Sequence, residues 1–175
     1  CQEPEPEPEP VPPAGPDLTE AVYDRSRLLE VEVELAPSDW EALRLQDRSD
    51  LGLGEDCLPP DAPFPSPFTW FTGTVTVDGE AFEDVGVRKK GFFGSLSTER
   101  PSLKIRFDKF VEDQTFEDVK RLTLNNSQQD PSLVRQCLAY DMFSSVGVPT
   151  PRCNFAHVVV NGTDMGVFVN VESIK

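Results

Sequence analysis

Residues 122–147, LTLNNSQQDPSLVRQCLAYDMFSSVG, join a short apolar strand to the one long helix that the chain signals clearly. Asp130 suits the N-cap, and Pro131 suits the first helical position, where a missing N–H is no loss and φ is already set. Gly147 closes the helix and Pro149 stops it. At about 100° per residue, Leu133, Val134, Cys137, Leu138, Tyr140, Met142, Phe143 and Val146 spread almost round the axis, which predicts a helix covered on several sides. Asp141 falls in an apolar sector with Leu138, Cys137 and Val134, and a carboxylate there needs a partner.

Working outward, Leu28 to Leu35 (LLEVEVEL) alternates apolar and acidic residues, the pattern of a strand with one buried face. Ser38 with Glu41 reads as a capping box, so a short helix from Asp39 to about Leu45 follows, anchored by Trp40 and Leu43. Gln46 to Pro67 is rich in Asp, Gly and Pro and reads as a long irregular excursion. From Phe68 two β-rich runs flank Asp78-Gly79, and later Cys153 to Val160 and Gly166 to Val171 flank Asn161-Gly162, both hairpin signals. In Ser102 to Phe107 (SLKIRF), Leu103, Ile105 and Phe107 point one way, and Lys104 and Arg106 the other. The expected fold class is α+β: a mostly antiparallel sheet with one main helix packed against it.

The 175 residues carry 16 Lys and Arg against 31 Asp and Glu, a net charge of -15, which argues against nucleic acid and against an anionic lipid surface as partners. The hydrophobic fraction of 38% suits one domain core. The chain starts at Cys1 and continues as a Pro and Glu repeat, QEPEPEPEPVPPAGP, which looks like the start of a mature bacterial lipoprotein. That likeness makes Cys1 the lipidation site, residues 1–24 a disordered, self-repelling tether, and residues 25–175 the domain. The location expected is extracytoplasmic, with the membrane reached through the lipid on Cys1 only. In that oxidising setting two of Cys57, Cys137 and Cys153 can form a disulfide, with Cys57 the most accessible partner. No CxxC spacing occurs and His157 has no neighbouring ligand pair, so a zinc site is not expected and His157 reads as a strand residue.

A glycine turn, Gly91 to Ser95 (GFFGS), then a strand lysine, Lys104, then a helix acid, Asp141, is an arrangement that holds a nucleoside triphosphate in kinase amino-terminal lobes. The loop covers the phosphates, the lysine neutralises them and the acid orients the lysine. It predicts an ion pair between Lys104 and Asp141 beside the turn. Arg88, Lys89 and Lys90 add three cations to an acidic chain, and the plain alternative for them is an exposed strand end.

The segments GVRKKGFFGS, PSLKIRFD, LTLNNSQQDPSLVRQCLAYDMFSSVGVPTPRC and VVVNGTDMGVFVNVES resemble the amino-terminal portion of the CotH family, atypical kinases of the spore-coat-protein-H type. The resemblance implies a fold like a protein-kinase amino-terminal lobe, ATP and Mg²⁺ as cofactors in the longer parent protein, and phosphoryl transfer to the side chains of a protein substrate. It places Lys90, Gly91 and Ser95 on the family's turn, Arg100 and Lys104 on its basic strand, and Asp130, Ser132 and Arg135 at the helix entrance. Asp141 falls on a helix acid and Glu172 on the acid that ends the last strand. Two departures matter: Gln136 stands where many members carry Glu, and the GFFGS turn is bulkier than usual. The family's catalytic and metal-binding carboxylates lie in the part that follows, so the resemblance makes this chain a nucleotide-facing part that is inactive alone. The alternative is a non-catalytic, surface-displayed recognition or coat-structural module.

Overall fold

The computed structural model describes residues 17–48, 66–92 and 94–173. In β1 (Leu28–Glu34), Leu29, Val31 and Val33 are buried while Leu28, Glu30, Glu32 and Glu34 face solvent, as the alternation dictates. β2 (Phe71–Val77) and β3 (Glu80–Lys90) form an antiparallel hairpin through Asp78 and Gly79, both at positive φ (50° and 87°) as a tight two-residue turn requires. Then come β4 (Ser102–Arg106) and β5 (Arg121–Asn125). β6 (Cys153–Val160) and β7 (Thr163–Val171) form the second expected hairpin, around Asn161 and Gly162.

The strands run in the order β1-β2-β3-β4-β5-β7-β6 around a closed barrel. β1 returns to β6 as the parallel seam, and the other neighbours pair antiparallel. Val75, Val87, Leu103, Ile105, Leu122, Leu124, Val158 and Phe168 point inward and belong to one continuous core. Phe82 packs edge to face on Phe107 and Phe116, with centroids 5.0 and 6.1 Å apart. The β5–β7 seam is narrow, with only Leu124 opposite Asn170 and Asn125 opposite Val169.

Closure corrects the α+β expectation of an antiparallel sheet covered by one main helix like a kinase amino-terminal lobe. A sheet that curls round on itself buries its apolar face against its own far side, so no helix is needed to cover it. The expected main helix, α3 (Arg135–Ser145), rides outside with Cys137 as its buried residue, while Leu138, Met142, Phe143 and Val146 are each more than half exposed. It is not covered on several sides. A disulfide between Cys137 and Cys153 ties it to β6. Thus the disulfide expected among three cysteines forms, while Cys57 lies outside the described residues, as do Cys1, Phe93 and most of the excursion between Gln46 and Pro67.

Helix ends differ in instructive ways. α3 begins at Arg135, because Leu133 takes a positive φ of 62° and breaks the run that would have started at Pro131. The Asp130 carboxylate still caps: it accepts N–H bonds from Ser132 (3.1 Å) and Arg135 (2.9 Å), but across a turn rather than as the helix N-cap. At the other end Gly147, with φ 80°, donates to the Ser144 carbonyl and Val148 to that of Phe143, the glycine closure expected there. α2 (Pro37–Leu45) has Ala36 at its cap and Pro37 in its first turn, so the Ser38–Glu41 capping box does not form, and Glu41 pairs with Arg44 instead. A single helical turn, α1 (Thr19–Val22), with Val22 and Tyr23 buried, lies inside the segment assigned to the tether, so folded structure begins before residue 25.

Candidate functional site

The outer face of β3, β4 and β5 is cationic because strand alternation puts every second residue there. Arg88 stands opposite Lys104, which stands opposite Thr123, while Gly86, Arg106 and Arg121 form the next row and Lys90 pairs with Ser102. Arg106 is neutralised by Asp108, 2.7 Å away. Among the described residues, Arg88, Lys90, Lys104 and Arg121 have no carboxylate within ion-pair distance. Burial, then Arg88, Arg121 and Arg106, push the Lys104 amine below its ordinary value. Arg88 lies 4.6 Å over the Trp70 ring, and its buried Nε has no hydrogen-bond partner.

Where β3 ends, this face runs into a polar cleft of about 350 Å³ lined by Ser95, Ser102, Asn125, Asn126, Asp130, Arg135 and Gln136, among others. Lys90 stands at its edge, donating to Oδ1 of Asn125, which lines it, and Asn125 Nδ2 donates to Gln136 Oε1 at 2.8 Å. Burial, and then the neighbouring charge of Lys104, push the Lys90 amine down to about 8. The turn after β3 is fixed from below: the Ser95 hydroxyl accepts from Phe92 N–H, and the Ser95 carbonyl accepts from Asn126 Nδ2. Gly94, at φ 79°, lies so close to the Gln129 amide that a Cβ would fall 1.7 Å from it.

The residues expected to bind cofactor are therefore only partly assembled. Lys90, Lys104 and Arg135 share the face and its cleft, with Gly91 and Ser95 on the turn above. Arg100 is spent on structure: its guanidinium donates to the carbonyls of Asn126, Met165 and Val167 and stacks 4.4 Å from Phe168, which splices β5 to β7 at their narrow seam. Asp141 does not meet Lys104. It is half exposed and pairs with Arg25, whose Nε also donates to the Cys153 carbonyl, and the Arg25 hydrogen bond lowers its pKa. The expected pair fails because the helix lies outside the barrel beside β6, turning its acid toward Arg25. Glu172 is held by Arg152 at 2.7 Å, which lowers its pKa. Its neighbour Ser173 reaches the cationic face through a 2.9 Å hydroxyl contact with Thr123.

Sequence reasoning named Arg88 among three cations at a strand end but not among the binding residues, and it overlooked Arg121, Asn125 and the bonding role of Gln136. Counting by twos from Lys104 along paired strands would have found the arginines. The amide contacts depend on how the turn before α3 folds, which no short motif encodes.

Arg88, Lys90 and Lys104 are donors without a carboxylate partner among the described residues, the chemistry that a polyphosphate would call on. Mg²⁺ has no comparable support, because among the described residues no group of three or more His, Cys, Asp and Glu could hold a metal ion. Asp130, Asp141 and Glu172 are each already engaged by Arg135, Arg25 and Arg152.

Fold and face define a small β-barrel domain with one cationic side, on which Arg88, Lys90 and Lys104 have no carboxylate within ion-pair distance among the described residues. The sequence model of a family described as CotH kinase protein matches residues 87–175, just over half of the chain, and the chain belongs to that family. The match contains every cation named on the face and the whole cleft lining. The chain is 38% identical over 65 residues to inner spore coat protein H of Bacillus subtilis (strain 168), covering 37% of this chain and 18% of that protein. It is 39% identical over 54 residues to the inner spore coat protein H-like protein of the same organism, covering 31% and 18%. The matched stretches thus span less than a fifth of either relative.

Proposed function

We propose that this chain is the nucleotide-facing part of an extracytoplasmic CotH-type atypical protein kinase, and that the β3–β4–β5 face receives the polyphosphate of ATP. The observation that carries the reading is the facing pair Arg88 and Lys104, with Arg121 in the adjoining row, none with a carboxylate within ion-pair distance among the described residues, in a chain of net charge -15. Acids are abundant, yet among the described residues none lies within ion-pair distance of Arg88 or Lys104, and Arg121 feels the Asp108 charge only at longer range. Unpaired like charges abreast on a sheet destabilise it, and a polyanion removes that cost. The family's description as a kinase protein points the same way. In this reading Lys90, Lys104 and Arg121 bind and orient phosphate oxygens, the Gly91–Ser95 turn lies over them, and phosphoryl transfer to protein side chains belongs to a longer parent protein with its own Mg²⁺ ligands. Location outside the cytoplasm draws on the Cys137–Cys153 disulfide and on the spore-coat names of the two Bacillus relatives.

The test is calorimetric titration of the 175-residue chain with ATP and Mg²⁺, beside Lys104→Gln and Arg121→Gln. Each loss of a phosphate contact should weaken binding by about tenfold, and raised salt should weaken it further. Absence of binding, or binding indifferent to both substitutions, overturns the reading. A non-catalytic coat or surface module is the second reading, favoured by the names of the two Bacillus relatives. It gains if the chain binds no nucleotide.

A further inference from the structure

We infer that Asn125 and Gln136 are positioning residues for the Lys90 ammonium, forming an uncharged relay from α3 that aims the cation into the cleft without cancelling its charge. The inference deepens the anion-binding reading of the same face and rests on it.

The relay is continuous. Lys90 donates to Asn125 Oδ1, Asn125 donates to Gln136 Oε1 at 2.8 Å, and Gln136 Nε2 donates to the Tyr140 hydroxyl at 2.9 Å. Every donor points the same way, from β3 through β5 to α3 and then along it. Amide dipoles can align behind an ammonium in this manner and stabilise it, yet they contribute no net negative charge. A carboxylate at the same place would satisfy the amine equally well but would neutralise it toward any approaching anion. The charged groups around Lys90 leave it positive: Lys104 on β4 and Arg88 along its own strand are cations, β5 offers Asn125, and α3 offers Gln136 and Tyr140. Arg135 lines the same cleft, and Asp130, the acid there, is occupied by Ser132 and the Arg135 backbone. Burial first, and then the charge of Lys104, depress the basicity of Lys90.

The arrangement also links the helix to the face. α3 is fixed to the barrel by the Cys137–Cys153 disulfide one residue after Gln136, so the relay's anchor is covalently placed.

The experiment is competitive acylation of the full chain with acetic anhydride across a pH series, read lysine by lysine by peptide mass spectrometry, with Lys104 as the internal reference and inorganic tripolyphosphate as the binding probe. In Gln136→Glu, an isosteric change, the Lys90 titration should move up toward that of an ordinary lysine while the Lys104 curve moves less, and tripolyphosphate binding should weaken about threefold to tenfold. In Gln136→Leu the Lys90 amine should label several times faster at high pH, because its brace is gone. A Lys90 curve unchanged in both variants overturns the relay, whatever the anion does. Failure of the wild-type chain to bind tripolyphosphate, with the Lys90 curve still shifting in Gln136→Glu, overturns the anion reading and with it the claim that the cation is aimed at a ligand.

Discussion

Lys104 on β4 and Arg88 on β3 occupy directly paired positions, two cations abreast on one outer face, with Arg121 and Arg106 in the adjoining row. Among the described residues no carboxylate joins Lys104. Removing one of two facing like charges relieves repulsion, so Lys104→Gln should leave the chain as stable or more stable by up to about 1 kcal/mol. Urea melts should show the gain at low salt and its loss at high salt. A clear destabilisation would mean that Lys104 has a stabilising partner after all.

Arg100 makes a different kind of contact. Its three carbonyl acceptors belong to Asn126, Met165 and Val167, on the two sides of the two-pair β5–β7 seam. Arg100→Lys keeps the charge but cannot fork to three acceptors, so it should cost about 2–3 kcal/mol by leaving part-buried carbonyls unsatisfied. Hydrogen exchange should rise first in β7 and at Asn126; protection unchanged there would show that the seam holds without its splice.

The imidazole of His157 is bonded on both sides, to Glu30 at 2.7 Å and Asp164 at 3.0 Å, and those bonds, Glu30 first, raise its pKa above the ordinary 6.5. With the folded value above the unfolded one, the contribution to stability is full below about pH 6.5 and disappears as pH climbs through the folded value. His157→Gln should flatten that part of the stability curve. Proton NMR titration of the single histidine checks the direction, and a midpoint at or below 6.5 contradicts it.

Reducing the Cys137–Cys153 bridge, which spans a sequence separation of 16, should cost on the order of 3 kcal/mol by the loop-closure argument. Because Cys137 is the buried residue of α3, the helix should lose exchange protection before the barrel does. Mass-resolved exchange in dithiothreitol, or of the Cys137→Ala, Cys153→Ala variant, measures both.

The strands were legible because each obeys one local rule. LLEVEVEL and SLKIRF alternate as a strand with one buried side must, and Asp78-Gly79 and Asn161-Gly162 sit where the two hairpins turn. Closure was not legible. Alternation says that one side of a sheet is buried, but not whether a helix or the sheet itself covers it, and the parallel β1–β6 pairing leaves no mark in either segment. The same gap undid the Lys104–Asp141 pair, since placing Asp141 required knowing on which side of the barrel α3 rides. At the site, Lys90 and Lys104 stood out as cations in an acidic chain. Asn125 and Gln136 matter through their contacts, and those are set by the turn at Leu133, whose positive φ no residue type announces.

The parallel β1–β6 seam, from Leu28 opposite Phe155 to Val33 opposite Val160, makes the chain's first strand wait for nearly its last. During synthesis β1 and the β2–β3 hairpin emerge long before the strand that completes the ring, so their apolar sides stay uncovered until β6 and β7 arrive. High contact order of this kind slows folding and prolongs exposure to aggregation. The acidic outer residues Glu30, Glu32 and Glu34 put charge on a strand that must wait for its partner, and charge on an unpaired strand opposes pairing with the wrong chain.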